Sequence, residues 1–181
     1  MRSTHLVLAG LMAARAAVAA DGNLLSNGDF SQQSQLAGWS CQGGTWNSDD
    51  ATSAAGSGSL ALQNAGNIPG QCTSACIPIR PGVAYTISGQ SRVLLGNAVI
   101  SFACAQAGTD HCNSVTYDIQ GPAMSVAYAW NNQAATASGI FAGLSMMCTI
   151  TLTSADLGSV TAHFDNLFLT TDVIFFGGFE P

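Results

Sequence analysis

The segment RPGVAYTISGQSRV, Arg80 to Val93, holds a turn and a strand in one short run. Pro81-Gly82 supplies the turn, because proline fixes one backbone angle and glycine tolerates the reversed hand of the other. After it, Val83, Tyr85 and Ile87 alternate inward with Thr86 and Ser88 outward, the two-residue period of a strand buried on one face. Working outward, the same pattern recurs in Leu24 to Phe30, Ser59 to Gln63, Thr73 to Ile79, Ala98 to Cys104, Ser114 to Ile119, Ala123 to Trp130, Met146 to Thr153 and Thr161 to Thr170. Gly, Asn, Pro and Asp separate these runs. Sustained helical spacing is missing, with Ala135 to Leu144 the only ambiguous stretch. Short strands punctuated by turns predict an all-β fold, an antiparallel β-sandwich, with no repeat or linker to mark a second domain.

The N-terminus reads as an address. Arg2, an apolar run from Leu6 to Ala14, and small residues at Ala17, Ala19 and Ala20 match a cleaved secretory signal over residues 1–20. The run falls well short of the roughly 20 residues that span a bilayer, so no membrane insertion is expected. The expected location is secreted, periplasmic or extracellular. Without those residues the strong cations are Arg80 and Arg92 against ten acidic side chains, a net charge of about −8. Such a surface repels nucleic acid and anionic membrane. Charged residues are only 8% of the chain, so its surface is built from neutral polar side chains.

Six cysteines in an exported chain predict three disulfides. Cys104 and Cys112 flank the turn-rich AQAGTDH and are expected to pair across a hairpin mouth. If QCTSACIPI is one continuous strand, Cys72 and Cys76 share a face about 13 Å apart, too far to bridge. They then pair with Cys41 and Cys148 in an order left open, whereas a local turn would let Cys72 join Cys76. A zinc site with His111 lacks the paired spacings of zinc motifs.

Five pieces in order now carry a resemblance: NLLSNGDFS at Asn23 to Ser31, Gly38-Trp39, GSGSLAL, IPIRPGVAYTISGQSRV and HFDNLFL. Together they resemble the carbohydrate-binding modules of families 4, 9, 16 and 22, found beside xylanase and cellulase catalytic domains. The resemblance spans roughly Asn23 to Leu169. It implies a jelly roll of galactose-binding-domain type over residues 21–170. It also implies a structural Ca2+ ion where the chain's ends meet, at Asp29, Ser31 and Asp165. Ser31 stands where the family usually has Glu, which removes charge from that site. Calcium accepts backbone carbonyls as well as carboxylates, so Asp29 can contribute either. Locally, Asn27-Gly28 reads as a tight hairpin turn.

Sugar binding needs aromatic rings to stack on pyranose faces and amides to meet hydroxyls. The candidates are Trp46, Tyr117, Tyr128, Trp130 and Asn132, with Tyr128 and Trp130 expected two apart on one strand face. Trp39 reads as core. Glycoside hydrolysis needs two opposed carboxylates, yet the single Glu is Glu180 in the tail and Asp49-Asp50 are adjacent. A G-x-S-x-G motif is missing, and His163 reads as a strand residue. No catalytic constellation is therefore found, and the expectation is a non-catalytic accessory module binding polysaccharide such as β-glucan or xylan. The alternative is a structural or adhesive envelope protein that keeps the sandwich and binds no sugar. The tail, residues 171–181 with TDVIFFGGFEP, resembles the Ile-Phe-x-x-Gly-Phe-Glu ending of some secreted gram-negative bacterial proteins. Its uncharged apolar run would have to pack or to engage export or envelope machinery.

Overall fold

The computed structural model describes residues 22–109, 111–113, 116–120, 124–136 and 142–171, with backbone alone for 116–120 and 135–136. The proposed signal segment, and all of the proposed tail except Thr171, lie outside the described residues.

Two antiparallel sheets face each other. One contains, in spatial order, β1 (Trp39–Gln42), β4 (Gly70–Ser74), β11 (Ser145–Ser154), β7 (Ala98–Ala107) and β8 (Thr116–Gln120). The short β5 (Ile77–Pro78) pairs with β11, and β9 (Met124–Ser125) with β7, making seven strands. The other sheet has five, in the order β10 (Asn131–Thr136), β6 (Tyr85–Leu95), β12 (Val160–Thr171), β3 (Ser59–Asn64) and β2 (Gly44–Asn47). The all-β sandwich expected from the sequence is what the chain forms.

The core lies between the sheets, where Ile100, Phe102, Ile150 and Leu152 from one meet Leu60, Leu62, Ile87, Phe164 and Leu169 from the other, all fully buried. Each such side chain contributes about 1.5 to 3 kcal/mol by leaving water. β6 follows the alternation in its sequence, burying Tyr85, Ile87, Gly89, Ser91 and Val93 while Thr86, Ser88, Gln90 and Arg92 face out. The turn before it is clamped by Tyr85, whose hydroxyl accepts from the Arg80 N–H at 2.7 Å. Gly82 takes a φ of 81°, as the Pro-Gly turn requires.

Several expectations are corrected. Leu24 to Phe30 is not a strand but a turn-rich segment stitched to β12. Past Phe164, β12 has lost β3 as a neighbour, and the N-terminal segment takes that edge. Leu24 N–H donates to Leu169 O at 2.9 Å and Leu167 N–H to Gly28 O at 2.8 Å. The Asn23 carboxamide donates to Leu167 O and accepts from Leu169 N–H. Leu25 and Phe30 then drop into the core. Asn27 does bend, with φ 52°, but its side chain ties down Gln35 O and Ser31 N–H, so the bend shapes a loop instead of a hairpin.

The Cys104 to Cys112 pairing is also corrected. Cys104 lies directly opposite Cys148 in the β7–β11 ladder, and those two are bonded. Cys41 and Cys72 are likewise opposite each other across β1 and β4, and bonded. Thr73 to Ile79 is broken after Ser74, so Cys76 leaves the sheet and reaches Cys112. Of the expected strand Ala123 to Trp130, the described residues 124–130 hold only Met124 and Ser125 as strand, and the regular pairing resumes at Asn131.

Candidate functional site

The outward face of the five-stranded sheet gathers a row of polar side chains. Register places Asn132 beside Gln90 and Ala134 beside Ser88, so β10 and β6 present amides and hydroxyls on one surface. β12 completes that surface through an irregularity between Asp165 and Phe168. There Asn166 takes a φ of 49°, a conformation asparagine tolerates better than most residues. The bulge turns the Asn166 amide across the strand, where Nδ2 donates to Gln90 Oε1 at 2.8 Å. It also brings Phe168 outward, 38% exposed. Ser88, Gln90, Asn132, Asn166 and Phe168, with Thr52 as a wall, line a groove of about 530 Å³.

Beside the groove is an ionic cluster. Arg92 donates through Nη2 to Asp49 Oδ2, and the same carboxylate oxygen is 2.7 Å from His163 Nδ1. The half-buried Trp130 lies with its ring 5.2 Å from the Arg92 guanidinium carbon, in cation–π contact, and 6.5 Å from the His163 ring. Burial holds the His163 pKa below its ordinary value, and Arg92 pushes the same way while Asp49 opposes both. His163 is therefore a neutral ring pinned by a carboxylate.

Asp165 is fully buried. Its carboxylate accepts from the backbone N–H of Ala51 at 2.9 Å and of Asn166 at 2.6 Å. Burial nevertheless pushes its pKa up to about 6, with the charges of Asp50 and Asp29 adding to the rise. Asp29 has an exposed side chain, and its carbonyl accepts weakly from Ser57 Oγ at 3.4 Å. The Ser31 N–H is held by Asn27. Among the described residues, no three His, Cys, Asp or Glu side chains converge on one point.

The sequence-derived sugar candidates divide. Asn132 lines the groove; Trp130 is not among its lining residues and stacks instead on Arg92, two residues along β6 from Gln90. Tyr128 is 69% exposed, in the connection before β10 and not on a strand with Trp130. Trp46 lies away from this groove: its indole N–H donates to Phe30 O at 2.8 Å, its ring packs against the core edge, and it lines a second concavity of about 380 Å³ with Ser48, Asp49 and Asp50. Trp39 packs similarly on Phe30, at 5.7 Å between ring centroids. The Tyr117 side chain lies outside the described residues; its backbone pairs with Ala105 on the seven-stranded sheet. Sequence reasoning missed Ser88, Gln90, Asn166 and Phe168. The signal for the first two was present, since every outward position of β6 from Thr86 to Arg92 can form hydrogen bonds.

Comparison with solved structures identifies this architecture. A CBM61 carbohydrate-binding module in complex with β-1,4-galactotriose superposes with a TM-score of 0.59 at 11% identity, over 83% of this chain and 99% of that one. The fold is that of the jelly-roll carbohydrate-binding modules. A CBM22 xylan-binding domain from Paenibacillus barcinonensis gives 0.53 at 17% identity, over 74% of this chain and 85% of that one. An arabinose-bound α-L-arabinofuranosidase gives 0.61 at 16% identity over 83% of this chain, but the match covers only 27% of the enzyme. No family model and no curated protein sequence matches the chain. Among the described residues, no helix is long and apolar enough to cross a membrane.

Proposed function

We propose that this protein is a secreted, non-catalytic module that binds polysaccharide in the outward groove of the five-stranded sheet. The observation that carries the reading is the pairing of one exposed ring, Phe168, with the amides of Gln90, Asn132 and Asn166 around a single concavity. Pyranose recognition needs that combination: an apolar face for C–H groups and amides that both donate and accept. Support also comes from the neighbours, one of which is a module in complex with a galacto-oligosaccharide and another a xylan-binding domain. Xylan and β-1,4-galactan are accordingly the glycans to try first, with β-glucan after them. Trp130, braced on Arg92 two residues along β6 from Gln90, would add an aromatic border beside that lining.

Calcium belongs to the same proposal. Asp165 and Asp29 would hold the ion with a carboxylate and a carbonyl oxygen, and Ser31 would add a hydroxyl. Its role would be structural, fastening the N-terminal segment to β12. What supports it is the raised pKa of the Asp165 carboxyl, caused first by burial and to a lesser degree by the charges of Asp50 and Asp29, which a cation would offset.

Affinity electrophoresis and titration calorimetry against xylan and galactan, with calcium and with chelator, test the reading. Phe168→Ala and Asn132→Ala should each weaken binding about tenfold or more, which is about 1.4 kcal/mol. Thermal unfolding should change little, because both side chains are exposed. Wild-type protein that no glycan retards would remove the proposal in favour of a structural or adhesive protein.

A further inference from the structure

The outward face that carries the groove is open over only part of its width. Over β10, β6 and the distal part of β12 it is the concavity described above. Over the proximal part of β12 and the adjoining end of β3 it is closed. Ser59, His163 and Asp165 face outward in register, yet none is more than 2% exposed. With the Trp130 ring beside His163, what lies over His163 and Asp165 is the segment between β2 and β3, residues 48–58. It is anchored at Asp49, on Arg92 and His163, and at Ala51, on Asp165. The next residue, Thr52, is the wall of the groove. This strap is thus fixed at two points two residues apart, and its edge forms one end of the cavity.

The opposite side is different. β10 is the edge strand of its sheet, so no further strand flanks the groove there among the described residues. A linear glycan laid across the strands from β10 passes over β6 and β12 and then meets Thr52. Three strands at about 4.8 Å spacing give a floor of roughly 10 to 15 Å, the length of a short oligosaccharide. A polymer cannot continue through the strap without breaking its anchors.

We propose that the groove takes the terminal residues of a glycan chain, not an internal run, with the strap acting as an end stop. This inference rests on the groove being the sugar site. The test measures binding to xylan and β-1,4-galactan by calorimetry, each intact and after partial endo-cleavage, at equal mass. Binding sites per gram should rise in proportion to chain ends, about tenfold for a tenfold shortening, and oligosaccharide affinity should level off by the trisaccharide, within about twofold of the hexasaccharide. Thr52→Trp should abolish binding while leaving thermal unfolding unchanged. The inference is overturned if sites per gram stay constant on cleavage, if affinity keeps climbing to the hexasaccharide, or if Thr52→Trp binds like the wild type. Each of those results keeps sugar binding intact. No binding to either polymer or to any oligosaccharide would instead remove the sugar site itself, and the end stop with it.

Discussion

All three disulfides lie in the seven-stranded sheet or its connections, whereas the five-stranded sheet has no cysteine among its described strands and relies on polar contacts. Cys41–Cys72 and Cys104–Cys148 bridge neighbouring strands of the first sheet. In the second, the Asp49, Arg92 and His163 cluster and the Asn23 and Gly28 contacts to β12 do the fastening. The contrast teaches a division of labour. One sheet is braced by covalent bonds and carries cross-strand contacts such as Thr73 to Thr149 on its outer face, whereas the other carries outward amides and a bulge. Bulged, polar strands are poorly stabilised by themselves.

The contrast can be broken at either side. The largest effect should follow removal of Cys104–Cys148 by double alanine substitution. A loop of 44 residues released in the unfolded state corresponds to about 4 kcal/mol, read by denaturant unfolding. Groove affinity at low temperature should persist if the sheets are energetically separate. Next comes Gly28→Ala on the polar side. A Cβ there would lie 2.0 Å from Leu167 O, so the N-terminal segment must leave β12, at a cost of about 3 kcal/mol. The same unfolding curves measure it.

Asp165 gives a smaller, pH-dependent effect. Its folded pKa of about 6 exceeds the unfolded value of about 3.9, so the native state holds the proton more tightly between them. Stability relative to Asp165→Asn should therefore be highest near pH 4 and fall as pH rises through about 6, when measured in chelator. Adding calcium at pH 7 should recover part of that loss. The smallest change is expected for Asp49→Asn. Asparagine keeps an acceptor oxygen for His163, and the ion pair it removes, with Arg92, is partly exposed, 31% and 27% by side chain, so the cost is about 1 kcal/mol or less and should shrink with salt.

The sequence disclosed the strands whose two faces differ most. β6, β7 and β11 alternate along most of their length, and each was readable because one face meets core and the other meets solvent. β10 was missed because NNQAAT offers no apolar alternation, and β1 and β2 because WSCQ and GTWN are too short to show a period. Leu24 to Phe30 misled for the opposite reason: its leucines and phenylalanine are core residues, but its hydrogen bonds are irregular. The disulfides depended on strand register, which places Cys104 opposite Cys148 at a separation of 44 residues. No local spacing encodes that. In the candidate groove, Asn132 was legible as a polar residue beside an aromatic one, and the β10–β6 register puts it next to Gln90. Phe168 was not, since its outward turn depends on the bulge at Asn166.

β12 lies in the middle of its sheet, between β6 and β3, although it follows both by many residues in the chain. Until residues 160–171 have been made, β2–β3 and β6–β10 are two separate ribbons with apolar faces exposed. The order of assembly is therefore imposed by topology. The second sheet closes last, around a single inserted strand, and pairing over such sequence distances is slow. The seven-stranded sheet, whose last strand ends at Ser154, can thus be complete while its partner still waits for its central strand.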